Sequence, residues 1–199
     1  MASRNPGKLA ELRRLLGGHP WELVALDGAG FSGELEAPGA TYAEHSALKA
    51  KAVCSATGLP ALAADSGIEV PALGGWPGPA SARWRGEAAT DVDRLHGLLA
   101  EVERRCPDDR RARYVCVVTL ARPGMEALSA RGETSGVLVA PSGSGGFGYD
   151  PAFLSDDLGI TFGEATAEAK DRVSHRARAV AALLAELDAE DDHRHPMAR

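Results

Sequence analysis

The chain has 199 residues, a formal net charge of −6, 44% hydrophobic residues and 25% charged residues. These values are typical of a soluble globular protein with one domain and a substantial core. The negative charge argues against a broad electrostatic interface with nucleic acid, and no apolar run approaches the roughly 20 residues that a membrane-spanning helix needs. Three cysteines without metal-ligand spacing, and an N-terminus too short and polar for a secretory signal, predict a cytoplasmic protein with reduced thiols.

A helix is predicted close to the N-terminus, where the sequence reads MASRNPGKLAEL. Asn5 is a favourable N-cap, and Pro6 suits the first helical position. The free N–H groups and the dipole at a helix N-terminus favour an anion, so the polar side chains gathered there are candidates for binding phosphate. They are Ser3, Arg4, Asn5 and Lys8. The alternative is a capped surface helix without a ligand.

A second helix is predicted after a short strand at Trp21–Leu26 and a glycine-rich connection at 27–39. Thr41 followed by Glu44 forms a capping box, and Lys49 lies about one and a half turns further along. Both charged residues also have a structural explanation. In that explanation Glu44 simply caps the helix, and Lys49 is a solvated surface lysine.

The next segment, ALAADSGIEV, places an aspartate directly after an apolar run. We predict a strand at Ala61–Ala63, a turn at Asp65, Ser66 and Gly67, and a further strand at Ile68–Val70. An aspartate at the end of a buried strand is a frequent position for catalytic groups in α/β proteins. A turn-forming Asp-Ser pair is the structural alternative.

The middle of the chain combines a helix with several strands. Thr90 is the predicted N-cap of the helix. Arg113–Ala121 is β-branched and apolar, which indicates a strand covered on both faces. Ala127–Gly132 and Thr134–Ala140 are predicted to be neighbouring paired strands, and 153–163 to be irregular. Because helices and strands interleave throughout, we predict the α/β class with a mixed sheet.

A glycine-rich stretch, SGSGGFGYDP, follows the last of these strands. Glycines allow the backbone to turn sharply and to approach a ligand closely. Phe147 and Tyr149 offer rings for stacking, and Asp150 offers a hydrogen-bond acceptor. Isolated glycine patterns are weak signals, so an ordinary loop is the alternative.

Near the C-terminus, Ser174 is a plausible N-cap for a last helix. His175 and Arg176 would then lie at its positive N-terminal end, with Lys170 just upstream. The alternative is that Lys170 and Arg176 are ordinary surface charges and that His175 is a loop histidine. Taken together, however, the polar groups at helix starts and strand ends provide cations for phosphates, carboxylates for a hard metal such as Mg²⁺, and an aromatic ring for a base.

Six motifs occur in order along the chain and match one enzyme family. They read SRNPGKLAEL, TYAEHSALKAKA, ALAADSGIEV, ALGGWPG with SARW, GGFGYDP and KDRVSHRARA. Through them the chain, from Ser3 to Leu187, resembles the inosine/xanthosine triphosphate pyrophosphatases. The resemblance implies Mg²⁺-dependent hydrolysis of non-standard purine nucleoside triphosphates (ITP, dITP and XTP) to the monophosphate and pyrophosphate, a house-cleaning function in nucleotide metabolism.

The same resemblance implies a fold and an assembly. It leads us to expect an elongated, two-lobed α/β domain around a long mixed β-sheet with flanking helices, an active cleft between the lobes, and a homodimer. We place this single pyrophosphatase-like domain at 1–188 and a polar C-terminal tail at 189–199.

The resemblance also implies a role for each matching residue. Asp65 and Lys49 would be catalytic, with Asp65 accepting a proton from the attacking water, and Glu44 and Asp65 would hold Mg²⁺. Lys49 would also help to hold the triphosphate, and Phe147 would stack on the purine. The substrate-binding set would be Ser3, Arg4, Asn5, Lys8, Ser66, Phe147, Gly148, Tyr149, Asp150, Lys170, His175 and Arg176.

Three positions depart from the family pattern. Ala64 stands beside Asp65 where relatives carry a second acidic residue, and loss of a positioned catalytic group can lower turnover by about 10²-fold. His45 replaces the usual Asn, and Pro71 replaces a common acidic residue. Ala64, together with the short segment before the ASRNPGK loop, motivates an alternative function: a diverged purine-nucleotide-binding protein with weak or no catalysis.

Overall fold

The computed structural model describes residues 1–33, 35 and 40–194, and within these ranges the chain forms five α-helices and five β-strands. The helices are α1 Pro6–Leu15, α2 Tyr42–Thr57, α3 Asp91–Arg105, α4 Ala167–Val173 and α5 His175–Arg194. The strands are β1 Ala61–Val70, β2 Trp76–Pro77, β3 Arg111–Ala121, β4 Leu128–Leu138 and β5 Phe153–Ser155. The predicted α/β class is confirmed.

The five strands form one sheet in the order β2-β1-β3-β4-β5. Strands β1 and β2 are antiparallel, with Glu69 opposite Pro77. Strands β4 and β5 are also antiparallel, with Gly136 opposite Ser155. The long strands β1 and β3 are neighbours in the interior of this order and are almost entirely buried, as expected for apolar runs covered on both faces.

Residue packing divides the chain into two compact units. Unit 1 comprises Met1–Asp65, Val117–Gly132 and Arg176–Arg199, and unit 2 comprises Ser66–Cys116 and Glu133–His175. Each unit has its own apolar core: that of unit 1 includes Leu26 and Val53, and that of unit 2 includes Ile68, Leu98 and Phe153. The assignment of 1–188 to one domain stays a prediction.

The helix starts follow the predicted capping chemistry. The side chain of Asn5 accepts a hydrogen bond from the backbone N–H of Lys8 at the start of α1. Thr41 forms a complete capping box at the start of α2, and Thr90 does the same for α3. Helix α5 begins at His175, directly after the predicted cap. Local side-chain chemistry therefore fixes the starts of α1, α2 and α3.

Three strand predictions are wrong, each because longer-range contacts override the local pattern. The segment predicted as a strand at Trp21–Leu26 joins no sheet: the guanidinium of Arg13 donates to the Leu23 carbonyl, and the N-terminal amino group donates to the Val24 carbonyl. The predicted turn at 65–67 is absent because β1 continues through it, buried on both sides.

The third correction concerns the pair of strands predicted at 127–132 and 134–140. They are one strand, β4. Buried and more exposed residues alternate along it without interruption through Gly132, and this two-residue period is the signature of continuous pairing. The segment predicted as irregular at 153–163 also contains the short strand β5.

Helix α5 extends to Arg194, so residues 189–194 of the predicted polar tail are helical, and the domain boundary at 188 stays a prediction. Residues 195–199 of that tail lie outside the described residues, as do 34 and 36–39 of the predicted connection. Among the helices described, none is long and apolar enough to cross a membrane.

Candidate active site

The side chain of Asp65 is held by two residues of helix α2. Lys49 Nζ lies 2.8 Å from Asp65 Oδ1, and His45 Nδ1 lies 3.0 Å from Asp65 Oδ2. His45 and Lys49 are four residues apart, which places them on the same face of the helix. Asp65 itself is 6% exposed within β1. The helix thus fixes both oxygens of a largely buried carboxylate in unit 1.

The carboxylate of Glu44 caps helix α2. Its Oε2 atom accepts hydrogen bonds from the backbone N–H of Ala40 (2.8 Å) and from the backbone N–H and hydroxyl of Thr41 (3.0 Å each). These bonds, led by the one from Ala40, lower the pKa of Glu44. The capping explanation is therefore observed, and the metal-binding role stays a prediction. The described part of the chain contains no group of three or more His, Cys, Asp or Glu side chains placed to bind a metal.

The predicted phosphate-binding residues lie at the N-terminus of α1. Ser3 Oγ accepts from the backbone N–H of Asn5 (3.1 Å), and Asn5 Oδ1 accepts from the backbone N–H of Lys8 (3.0 Å). The exposed Arg4 donates to the carbonyl of Gly33 (2.8 Å). These contacts order the turn that leads into the helix, where the positive end of the dipole favours an anion.

Unit 2 contains a buried carboxylate with three donors. Asp150 Oδ2 accepts from the backbone N–H of Phe147 (2.8 Å) and from Lys170 Nζ (2.5 Å), while Oδ1 accepts from the hydroxyl of Tyr114 (3.1 Å). Asp150 is 2% exposed and Lys170 4% exposed. Lys170 Nζ also lies 5.2 Å from the centroid of the Phe147 ring, within the range of a cation–π contact.

The glycine-rich loop is shaped to bring its backbone against Asp150. Gly146 has φ +69°, and a Cβ added there would lie 2.1 Å from Asp150 Oδ2. Gly143 has φ +77°, and its added Cβ would lie 2.1 Å from the carbonyl oxygen of Gly163. A side chain fits at neither position, because the left-handed backbone and the close approach both require glycine.

The remaining loop residues anchor the loop within unit 2. The hydroxyl of Tyr149 donates to the Ser81 carbonyl (2.7 Å) and accepts from Trp84 Nε1 (2.8 Å). Burial raises the pKa of Tyr149 to about 12, so the phenol stays protonated. The backbone N–H of Gly148 donates to Asp91 Oδ2 (3.1 Å). Tyr149 thus supports the loop from inside the core.

His175 and Arg176, in the motif KDRVSHRARA, differ in their surroundings. The ring of His175 stacks on that of Tyr114, with centroids 4.6 Å apart and planes 8° apart. Arg176 forms a buried ion pair with Glu11 of α1, and burial lowers the pKa of Arg176 to about 10. Ser66 is partly exposed, next to Asp65 in the chain.

Comparison with known protein families identifies the family of this chain. The Ham1 family model matches residues 1–186. The chain belongs to the Ham1 family. It is 44% identical over 184 residues to the dITP/XTP pyrophosphatase of Geobacter sulfurreducens, covering 92% of each chain. It is 48% identical over 186 residues to the dITP/XTP pyrophosphatase of Deinococcus radiodurans, covering 93% of this chain and 90% of the relative.

Solved Ham1 structures share this fold. The Ham1 protein of Coxiella burnetii aligns with a TM-score of 0.84 and 34% identity, covering 94% of this chain and 96% of that one. The Ham1 protein of Staphylococcus aureus aligns with a TM-score of 0.83 and 34% identity, covering 95% and 97%. The resemblance drawn from the six motifs is confirmed.

Sequence reasoning missed three contacts in this Ham1 protein. His45 stood out only as a departure from the family pattern, although a histidine four residues before Lys49 signals a shared helix face. Tyr114 carries the only phenol in the strand RYVCVVTLA, which is a signal for a buried hydrogen bond. Glu11 lies in a leucine-rich helix and gave no signal of its long-range partner, Arg176.

A groove elsewhere in unit 1 is not part of this set. Its volume is about 650 Å³, and its walls include the apolar side chains of Trp21, Val24, Leu59 and Leu187. None of the predicted site residues, all of which are described, lines it.

Proposed function

We propose that this protein hydrolyses non-standard purine nucleoside triphosphates, ITP, dITP and XTP, to the monophosphate and pyrophosphate. The observation that carries the proposal is the buried Asp65 carboxylate, fixed by Lys49 and His45 in a member of the Ham1 family. A fixed, largely buried carboxylate can orient a water molecule and accept its proton. The relatives named dITP/XTP pyrophosphatase support the choice of substrate class.

The proposed reaction is an in-line displacement at the α-phosphorus. A water oxygen forms a bond to this phosphorus as the bond to the bridging oxygen of the β-phosphate breaks, and the bonding electrons leave with pyrophosphate. Asp65 accepts the proton that the water loses. Catalysis of this kind depends on positioning and on charge stabilisation. Lys49, 2.8 Å from Asp65 Oδ1, provides one of the cations.

The triphosphate is assigned to the N-terminus of α1. Ser3, Asn5 and Lys8 form a hydrogen-bonded turn there, and Arg4 adds a guanidinium group. Backbone N–H groups and cations are the usual partners of phosphate oxygens. Clamping the two outer phosphates stabilises the leaving pyrophosphate.

A divalent metal, Mg²⁺, is the proposed cofactor. Mg²⁺ is commonly bound by one or two carboxylates together with substrate phosphates, and the carboxylate oxygens of Glu44 and Asp65 fit this description. Bound Mg²⁺ would neutralise phosphate oxygens during the displacement. Glu44 contributes only Oε2 to its helix cap.

The purine is assigned to the residues of unit 2. Phe147, in the glycine-rich loop, is proposed to stack on the base. Lys170 is an ammonium donor suited to the O6 acceptor of a 6-oxo purine. Adenine presents an amino group at this position, which leaves donors unpaired and disfavours binding. Asp150 and His175 complete the proposed set, with Tyr149 and Gly148 shaping the loop.

Two further residue roles, an assembly and a location complete the proposal. Ser66 would contact the substrate, and Arg176, held by Glu11, would contribute to base selection. We also expect a homodimer, which analytical ultracentrifugation tests, and a cytoplasmic location, which fractionation of cells tests.

The alternative function, nucleotide binding with weak or no catalysis, is motivated by Ala64 and receives no support from the relatives.

The test is a comparison of pyrophosphate release from ITP and from ATP in the presence of Mg²⁺. We expect rapid release of pyrophosphate from ITP, much slower release from ATP, and no orthophosphate. Asp65→Asn keeps the shape of the side chain but removes the proton acceptor, and it should abolish most of the activity. Release by the wild-type protein no faster than by Asp65→Asn would refute the proposed function, and binding of ITP without turnover would establish the alternative.

A further inference from the structure

The ring of Tyr114 belongs to the core of unit 2, and a ring without the hydroxyl would fill the same space. Tyr114 is 6% exposed in β3, and its ring packs against Phe153 (centroids 4.7 Å apart) and Phe162 (6.1 Å). A phenylalanine ring would make the same apolar contacts. Burying a hydroxyl among them costs free energy unless it forms a hydrogen bond. The hydroxyl therefore calls for an explanation in terms of its partner.

That partner is the buried carboxylate of Asp150. Two donors, Phe147 N–H and Lys170 Nζ, both bind Asp150 Oδ2. The bond from the Tyr114 hydroxyl to Oδ1 (3.1 Å) restrains the other oxygen, so rotation of the carboxylate about its Cβ–Cγ bond would break contacts at both oxygens.

Tyr114 also touches His175, a second residue assigned to the base. The two rings are stacked at 4.6 Å and are nearly parallel, with 8° between the planes. Stacking at this separation restricts the rotation of the imidazole. Burial, followed by the charge of Asp150, raises the pKa of the Tyr114 phenol far above its usual value, so the phenol remains a donor.

We propose that Tyr114 is a positioning residue for purine recognition, which fixes Asp150 through its hydroxyl and His175 through its ring. Asp150 in turn holds Lys170 and the backbone at Phe147, so the orientation set by the phenol reaches the groups assigned to the base. The inference rests on the proposed function, because that function assigns the purine to these residues. It adds a specificity-determining contact in the strand behind the glycine-rich loop.

The variant that tests this role is Tyr114→Phe, which keeps the ring and removes only the hydroxyl. Thr134→Val is the matched control. Thr134 is 1% exposed in β4, and its hydroxyl donates to another carboxylate of unit 2, Asp157 Oδ2, at 3.2 Å. Both variants remove a bond from a buried hydroxyl to a carboxylate, so both should lower the melting temperature.

The readout is the affinity for two probes, measured by calorimetry: IMP, which carries the base, and inorganic tripolyphosphate, which has none. Tyr114→Phe should weaken IMP binding about tenfold, because Asp150 then positions Lys170 and the backbone at Phe147 less well, and leave tripolyphosphate affinity within about twofold. In ITP hydrolysis, KM should rise by a similar factor with kcat nearly unchanged, which is the pattern of lost ground-state binding. Thr134→Val should leave the affinity for both probes unchanged.

Each result decides the question. Unchanged IMP affinity in Tyr114→Phe, or an equal loss for IMP and tripolyphosphate, would overturn the proposal and leave only a packing role. Binding measured by calorimetry does not require turnover. A wild-type protein that binds IMP but releases no pyrophosphate would therefore refute the proposed hydrolysis alone, whereas a wild-type protein that releases pyrophosphate from ITP but does not bind IMP would refute the assignment of the base to these residues and the role of Tyr114, and not the hydrolysis.

Discussion

Because Gly146 lies so close to Asp150, we predict that a side chain at position 146 impairs both the stability and the activity of the protein. In Gly146→Ala the new Cβ would lie 2.1 Å from Asp150 Oδ2, so one of the two groups must move by more than about 1 Å to reach an ordinary van der Waals separation. That movement breaks the hydrogen bonds that Asp150 Oδ2 accepts from Phe147 N–H and Lys170 Nζ. The substitution therefore acts on stability and on the proposed base pocket together.

The magnitude has two parts that a control can separate. The backbone of Gly146, at φ +69°, costs an alanine about 1–2 kcal/mol. The collision with Asp150 adds about 1–3 kcal/mol, the usual cost of overpacking. Gly124 has φ +70° with no atom within 4 Å of an added Cβ, so Gly124→Ala carries only the first cost.

Urea unfolding and thermal melting of both variants measure the difference. Gly146→Ala should melt lower than Gly124→Ala by about 2–4 °C for each kcal/mol of collision energy. It should also lower kcat/KM for ITP by about 10²-fold, because displacements near 1 Å in a site have effects of this size. Equal stability of the two variants, with full activity in Gly146→Ala, would refute the reasoning.

The other predictions concern the cap, a buried pair and the missing carboxylate. The lowered pKa of Glu44 means that its ionised form stabilises the fold above the unfolded value near 4.5, and that this stability is lost as the pH falls through the folded pKa. In urea unfolding, wild type and Glu44→Gln should therefore differ most near pH ~6 and converge near pH ~3, and a constant gap would contradict the cap. Arg176→Met removes the ion-pair partner of the buried Glu11 and should cost about 3–5 kcal/mol, part of which the double variant with Glu11→Gln recovers; a loss below about 1 kcal/mol in the single variant would argue against the pair. Ala64→Asp should raise kcat for ITP about tenfold or more if the absent carboxylate limits catalysis, and an unchanged kcat would show that position 64 is not limiting.

The helix starts could be predicted because their determinants are local. Asn5, Thr41 and Thr90 each bond a backbone N–H three residues ahead, and this pattern can be read directly from the sequence. The strand ends could not be predicted in the same way. Asp65 and Ser66 resemble a turn, yet β1 runs through them, because cross-strand pairing and burial outweigh local turn preference.

The candidate site could be predicted only in part, for the same reason. The family motifs pointed to Asp65 and Lys49, and in the structure Lys49 of α2 donates to the carboxylate of Asp65 in β1. His45, Tyr114 and Glu11 were missed because each acts through a partner 20 or more residues away along the chain. Contacts of this kind depend on how the elements pack, which neither spacing nor composition encodes.

Hydrolysis of ITP in water labelled with ¹⁸O tests the central claim most directly. Attack of water at the α-phosphorus, with Asp65 accepting the proton, places the label in IMP and none in the released pyrophosphate. Mass spectrometry of the two products after a single turnover resolves this. We predict one labelled oxygen per IMP. Label in the pyrophosphate, or products other than IMP and pyrophosphate, would contradict the proposed displacement.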